Sequence, residues 1–143
     1  MNILIINASP RRRGLISGMM DIMGEEAVAC GHHVGSPCYW GNLNGHLKML
    51  FDRMVYGMMG ETEYGIPIGL HKGKKAVIVS TCTTPYPWNI FFNQTRGVVR
   101  ALKEILKWSG FKVKGVIQKG GTKKNPTLSA REEARCRSLI RKL

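Results

Sequence analysis

The chain has 143 residues, 43% hydrophobic and 22% charged, which fits one ordinary domain spanning residues 1–143 and leaves no room for two comfortable cores. Twenty-two Lys and Arg against nine Asp and Glu give a net charge of +13, which favours phosphate-bearing small molecules, nucleic acid or an anionic surface without choosing among them. No stretch approaches the ~18 consecutive apolar residues of a membrane span, and the N-terminus reads as a strand rather than a signal peptide, so a cytoplasmic protein is expected.

Asn2 to Asn7 is a short apolar run of the kind that forms a buried parallel strand. From Leu15 the apolar residues Ile16, Met19, Met20, Met23 and Ala27 fall on one helical face, and this helix is expected to end near Gly31. His32 to Ser36 is too short to read firmly as a strand. Leu47, Leu50, Phe51 and Met54 again keep helical spacing, predicting a helix over Asn44 to Val55 with Asn44 as N-cap. Gly57 to Gly73 reads as a glycine-rich linker, and Ala76 to Thr81 as a central strand. Val98, Leu102, Ile105 and Leu106 mark a further helix stopped at Gly110, Phe111 to Gln118 an edge strand, and Ser129 to Glu132 a capping box opening a last helix through Leu139, Ile140 and Leu143. Strands alternating with helices predict an α/β fold with a mostly parallel sheet.

Three loops leave the carboxyl ends of these strands, where α/β sheets bind ligands. Ser9 to Ser17 places hydroxyls at both ends, arginines between them and a helix start beside them, a suitable set for a phosphate monoester; the alternative is an exposed basic turn. Pro37 to Asn42 sets Tyr39 and Trp40 beside Gly41 and Asn42, so a flat ring can pack there, although both aromatics would equally serve a core. Thr81 to Tyr86 is rich in hydroxyls. The cysteines at 30, 38, 82 and 136 show no C-x-x-C spacing, so no iron–sulfur cluster or zinc ribbon is expected; Cys30, His32, His33 and Cys38 are close in sequence, but buried Cys and turn His are common without a metal.

Asn7-Ala8-Ser9-Pro10-Arg11 resembles the N-G-S-P-R opening of the NADPH-dependent FMN reductases, a flavodoxin-like family of NAD(P)H oxidoreductases. Gly35 to Asn42 with Lys48, Asp52 and Arg53 resembles their second signature, G-S-P-x-Y-x-G-N…K…D-R. The resemblance implies a flavodoxin-like sandwich, non-covalent FMN, NAD(P)H as electron donor and often a homodimer that builds the site between subunits. It implies that Ser9, Arg11, Ile16 and Ser17 hold the phosphate, that Pro37, Tyr39, Trp40, Gly41 and Asn42 line the isoalloxazine, and that Thr81 closes its far side. No catalytic side chain and no metal are implied.

Relatives usually carry a strand, a helix and the start of another strand between the first helix and the second signature; here these are adjacent, which predicts a reduced sheet of about four strands. A direct strand–helix–strand connection with the helix left on its own face has the wrong hand. The first helix moves to the other face, or His32 to Ser36 takes an unusual place, or a second chain completes the sheet. The function implied is an oxidoreductase passing hydride from NAD(P)H through FMN to a quinone, flavin or similar acceptor. The alternatives are a shortened flavin-binding protein without turnover and a basic nucleic-acid-binding protein, the last prompted by ten Lys and Arg from Lys112 onward against Glu132 and Glu133.

Overall fold

The computed structural model describes residues 5–10, 14–26 and 32–141. Arg11, Cys30, Leu143, the expected strand opening at 2–4 and the expected helix end at Ala27 to Gly31 lie outside them. In chain order the elements are β1 (Ile5–Asn7), α1 (Leu15–Glu26), β2 (His32–Pro37), α2 (Gly45–Arg53), α3 (Val55–Met58), β3 (Met59–Glu61), β4 (Pro67–Gly69), β5 (Lys75–Thr81), α4 (Trp88–Phe91), α5 (Gln94–Trp108), β6 (Lys112–Lys119) and α6 (Ala130–Ile140).

Four strands form one sheet in the order β1-β2-β5-β6, every neighbouring pair parallel. This is the reduced α/β sandwich the sequence predicts, with β6 at an edge. Alternate residues of β5 serve opposite faces. Val77 and Val79 pack with Ile117 under Ile16, Met19 and Met23 of α1 and Cys136 and Ile140 of α6. Ala76 and Ile78 pack under Val98, Leu102 and Leu106 of α5 and under Leu47 and Phe51 of α2. The expected caps are present: Asn44 accepts from the His46 N–H, and Ser129 and Glu132 form the reciprocal capping box.

The structure takes neither of the first two routes offered above: the helix has not changed face and the strand has not moved, and the direct connection is made all the same. The segment His32–Pro37 is a full strand paired directly with β1, and α1 shares the face of α6, opposite α5. The steps β1 to β2 and β5 to β6 run in the same direction across the sheet while their helices cover opposite faces, so the two crossovers have opposite hands. Gly35 permits the closeness of α1: a Cβ there would stand 2.8 Å from Ile16 Cγ2 and fall on Met20 Cε.

One expectation is corrected. Gly57 to Gly73 is not a bare linker; it holds the end of α3 and the antiparallel pair β3–β4, in which Met59 faces Gly69 and Glu61 faces Pro67. Strands of three residues carry too little alternation to show in a sequence. Among the described residues no helix is long and apolar enough to cross a membrane.

Candidate functional site

Parallel pairing brings the loops together. Just beyond each strand, the next N–H bonds to its neighbour's chain: Ala8 N to Gly35 O at 3.0 Å, Cys38 N to Thr81 O at 2.8 Å, Cys82 N to Lys119 O at 3.0 Å. The loops therefore start side by side along one edge. A fourth loop, after β6, is tied in by Thr122 N to Cys82 O at 3.1 Å and Gly121 N to Thr84 O at 2.8 Å.

Between them lies an open cleft of about 380 Å³. Of the residues singled out from sequence it gathers Ser9, Ile16, Pro37, Tyr39 and Thr81. At the end made by the first loop, the described bonding of α1 begins with Gly18 N to Gly14 O at 3.1 Å, and the first turn of the helix faces the cleft. Gly14, Leu15 and Ile16 line the cleft there. Asn7 fixes the loop from below, its Oδ1 accepting from Ser9 N at 3.0 Å and its Nδ2 donating to Ser17 Oγ at 3.0 Å. Ser17 is thereby buried behind the loop and is not part of the cleft wall. Arg11 is outside the described residues.

At the opposite side, Tyr39 and Asn42 exchange both backbone hydrogen bonds, at 3.2 and 3.0 Å, around a two-residue turn. Trp40 and Gly41 have φ of 52° and 71°, the left-handed pair that such tight turns demand. This geometry throws the Trp40 side chain outward, 100% exposed, while Tyr39 stays on the cleft. Gly41 and Asn42 shape the turn instead of lining the cleft, and Asn42 Oδ1 accepts from Leu43 N at 2.8 Å.

Sequence reasoning missed the loop that brings Thr122 and Pro126 to the cleft; Cys38, Cys82 and Thr83, also on the cleft, lie in loops it named without being singled out there. The fourth loop was findable by the same rule that located the other three, since it too leaves the carboxyl end of a parallel strand. The two thiols sit deep: Cys38 Sγ donates to Gln94 Oε1 and Cys82 Sγ to the Thr84 carbonyl, each at 3.4 Å. Burial pushes both thiols up from their ordinary range, which keeps them protonated and weakly nucleophilic. Among the described residues lining the cleft there is no Asp, Glu, His, Lys or Arg, so the wall offers hydroxyls, amides and rings but no acid–base pair.

A family model described as a flavodoxin-like fold matches residues 34–140. Among solved structures, Smu.1420 from Streptococcus mutans UA159 superposes with a TM-score of 0.75 at 17% identity, covering 100% of both chains. General stress protein 14 from Treponema denticola, solved in complex with FMN, has a TM-score of 0.58 at 14% identity, covering 99% of this chain and 95% of that one. An NADPH-quinone reductase from P. pentosaceus gives 0.58 at 12% identity, covering 99% and 96%. At such identities the likeness is one of fold. None of the curated proteins matches the sequence.

Proposed function

The chain belongs to the flavodoxin-like fold family, and on that premise we propose that it is an FMN-binding oxidoreductase that takes hydride from NAD(P)H and passes electrons to a quinone, flavin or similar acceptor. The observation that carries the reading is the cleft itself: an anion-seeking helix N-terminus after β1, Pro37 and Tyr39 on the next loop along the edge, and Thr81 on the loop beyond it. Its volume lies in the range of about 300–1,000 Å³ common to small-molecule pockets. Solved neighbours whose names include FMN or NADPH support the same reading.

The residues present fit the cofactor. A phosphate group would accept from the first-turn N–H groups of α1 and from the Ser9 hydroxyl, interactions that favour negative charge. Pro37 and Tyr39 would flank the ring system, and the Thr81 hydroxyl would meet its polar edge. Bound FMN supplies the hydride and electron chemistry, which suits a wall without an acid–base pair. Titration of purified protein with FMN, followed by NADPH and then NADH oxidation in the presence of a quinone, tests the proposal. Binding with turnover supports it; a protein that neither binds FMN nor oxidises either nucleotide overturns it.

A second reading, flavin binding without turnover, is favoured by one observation. With Trp40 fully exposed, a flavin bound in the cleft would have its outer side uncovered by this ring. We propose that a second copy supplies the cover: Trp88 and Phe91 of α4 and the following Phe92 are exposed, and their segment adjoins the Trp40 turn through the close approach of Gly41 to Asn93 O. Light scattering across concentration, with and without FMN, reads the oligomer directly, and a monomer throughout would sink this part.

A further inference from the structure

At the other end of the strands, on the α5 face, a groove of about 430 Å³ opens between the β1–β2 edge and the helices α2, α3 and α5. Its body is apolar, formed by Ile6, Val34, Met54, Met58 and Leu106. One end is cationic. Arg53 and Lys74 line it together with His32 and His71, and no carboxylate lines it among the described residues. Phe111 walls this end, its ring 5.4 Å from that of His32 and 5.2 Å from that of His71.

Among the described residues no carboxylate pairs with Arg53 or Lys74. Lys74 Nζ donates to His71 Nδ1 at 2.9 Å, and His71 Nε2 meets the Gly57 carbonyl at 3.1 Å, so no anion among the described residues meets the Lys74 ammonium. Arg53 makes no ion pair among the described residues. Burial, then Lys74 and His71, hold His32 below its ordinary value, as expected where positive charge already accumulates. An apolar trough closed by unpaired cations is complementary to one kind of small molecule, an apolar tail ending in an anion. A second copy is a poor occupant, because a chain of net charge +13 would bring further positive charge to this end.

We propose that this groove binds an amphipathic carboxylate of the fatty-acid class, its chain along Met54, Met58 and Leu106 and its carboxylate at Arg53 and Lys74. The site shares no lining residue with the cleft; Arg53 belongs to the second signature but lies in this groove and not on the cleft wall.

Calorimetric titration with dodecanoate, dodecanol and dodecyltrimethylammonium, below their micelle concentrations, tests it. Dodecanoate is expected to bind at least about tenfold tighter than dodecanol, with the ammonium analogue weakest. An Arg53→Gln/Lys74→Gln double variant, its fold checked by circular dichroism, should lose most of that preference while dodecanol binding stays within about twofold. Met54→Trp, which fills the trough, should remove binding of both. FMN titration of the double variant should match the parent, so failure here is distinguishable from failure of the FMN reading. Undetectable dodecanoate binding, equal affinity for acid and alcohol, an unaltered preference in the double variant, or binding only to phosphatidylglycerol vesicles would each overturn the proposal.

Discussion

The carbonyl oxygen of Gly41 occupies the place where a Cβ on residue 97 would stand. Gly97 lies in the first turn of α5, and its N–H bonds Asn93 O at 3.2 Å, so the helix start and the Trp40–Gly41 turn are locked together through two residues without side chains. Gly97→Ala should force the two apart. The expected cost is about 1–3 kcal/mol, the usual range for overpacking a closed site. Because Tyr39 hangs on the same turn, FMN affinity should fall as well. Urea unfolding and FMN titration of the variant check both; parent-like values for both would show that the contact is soft.

His33 is fully buried in β2, and neither ring nitrogen has a hydrogen-bond partner among the described residues. Burial, and then the neighbouring His32, pull its pKa from 6.5 to about 4. The sign follows directly. Between these values the unfolded chain binds the proton and the folded one does not, so stability is full above about pH 6.5 and falls as pH drops toward 4. The loss should approach about 3 kcal/mol. His33→Leu is expected to flatten this slope, and at pH 7 to cost little, since it removes a buried polar ring that gains nothing in return. Melting temperatures of parent and variant from pH 7.5 to 4.5 measure it, and parallel curves would contradict the assignment.

Why some of this was legible in the sequence and some was not follows from the range of the forces involved. Ile16, Met19, Met20 and Met23 declare their helix because periodicity is local, and Asn44 and Ser129 declare their caps because a cap bonds two or three residues away. The three loops were legible because parallel pairing carries them to one edge whatever their sequence. The outward turn of Trp40 was not, since it depends on Gly97, more than fifty residues on. Nor was the hand of the β1–α1–β2 connection: it rests on α1 packing with α6 across Val77 and Val79, contacts between the two ends of the chain.

Lys119 and Glu132 make the most enclosed ion pair among the described residues, at 2.7 Å with the lysine side chain 8% and the glutamate 31% exposed. Lys119 Nζ also donates to Thr127 O at 2.9 Å, which ties the end of β6 to the loop that carries Pro126. Burial alone would raise the Glu132 carboxyl, but the hydrogen bonds from Lys119 and Ser129 outweigh it and hold the group below its ordinary value. The pair's contribution is therefore present above the ordinary carboxylate range and is lost as pH falls through the lowered value. Lys119→Met leaves the carboxylate without its partner and should cost about 3 kcal/mol at pH 7. The difference between parent and variant should shrink at pH 3, where Glu132 is closer to protonated. A urea series at both pH values checks it, and a constant difference would assign the effect to packing alone.

The two ring-bearing residues of the second loop separate a flavin held within one chain from one shared by two. Tyr39 lines the cleft, whereas Trp40 points into solvent from a backbone with φ of 52°. Tyr39→Ala should weaken FMN by about tenfold under any arrangement, because it removes a ring contact worth roughly 1–1.5 kcal/mol. Trp40→Asn keeps the turn, since Asn-Gly is well suited to two successive left-handed residues, and removes only the ring. If each chain holds its flavin alone, the Trp40 variant should bind FMN like the parent. If a second copy covers the site, the same variant should lose affinity, and the loss should grow as the protein is diluted, because association is concentration-dependent and cleft binding within one chain is not. FMN fluorescence quenching at two protein concentrations differing by about a hundredfold distinguishes the cases; a loss that is the same at both would exclude the shared site and place the Trp40 ring over its own cleft in solution.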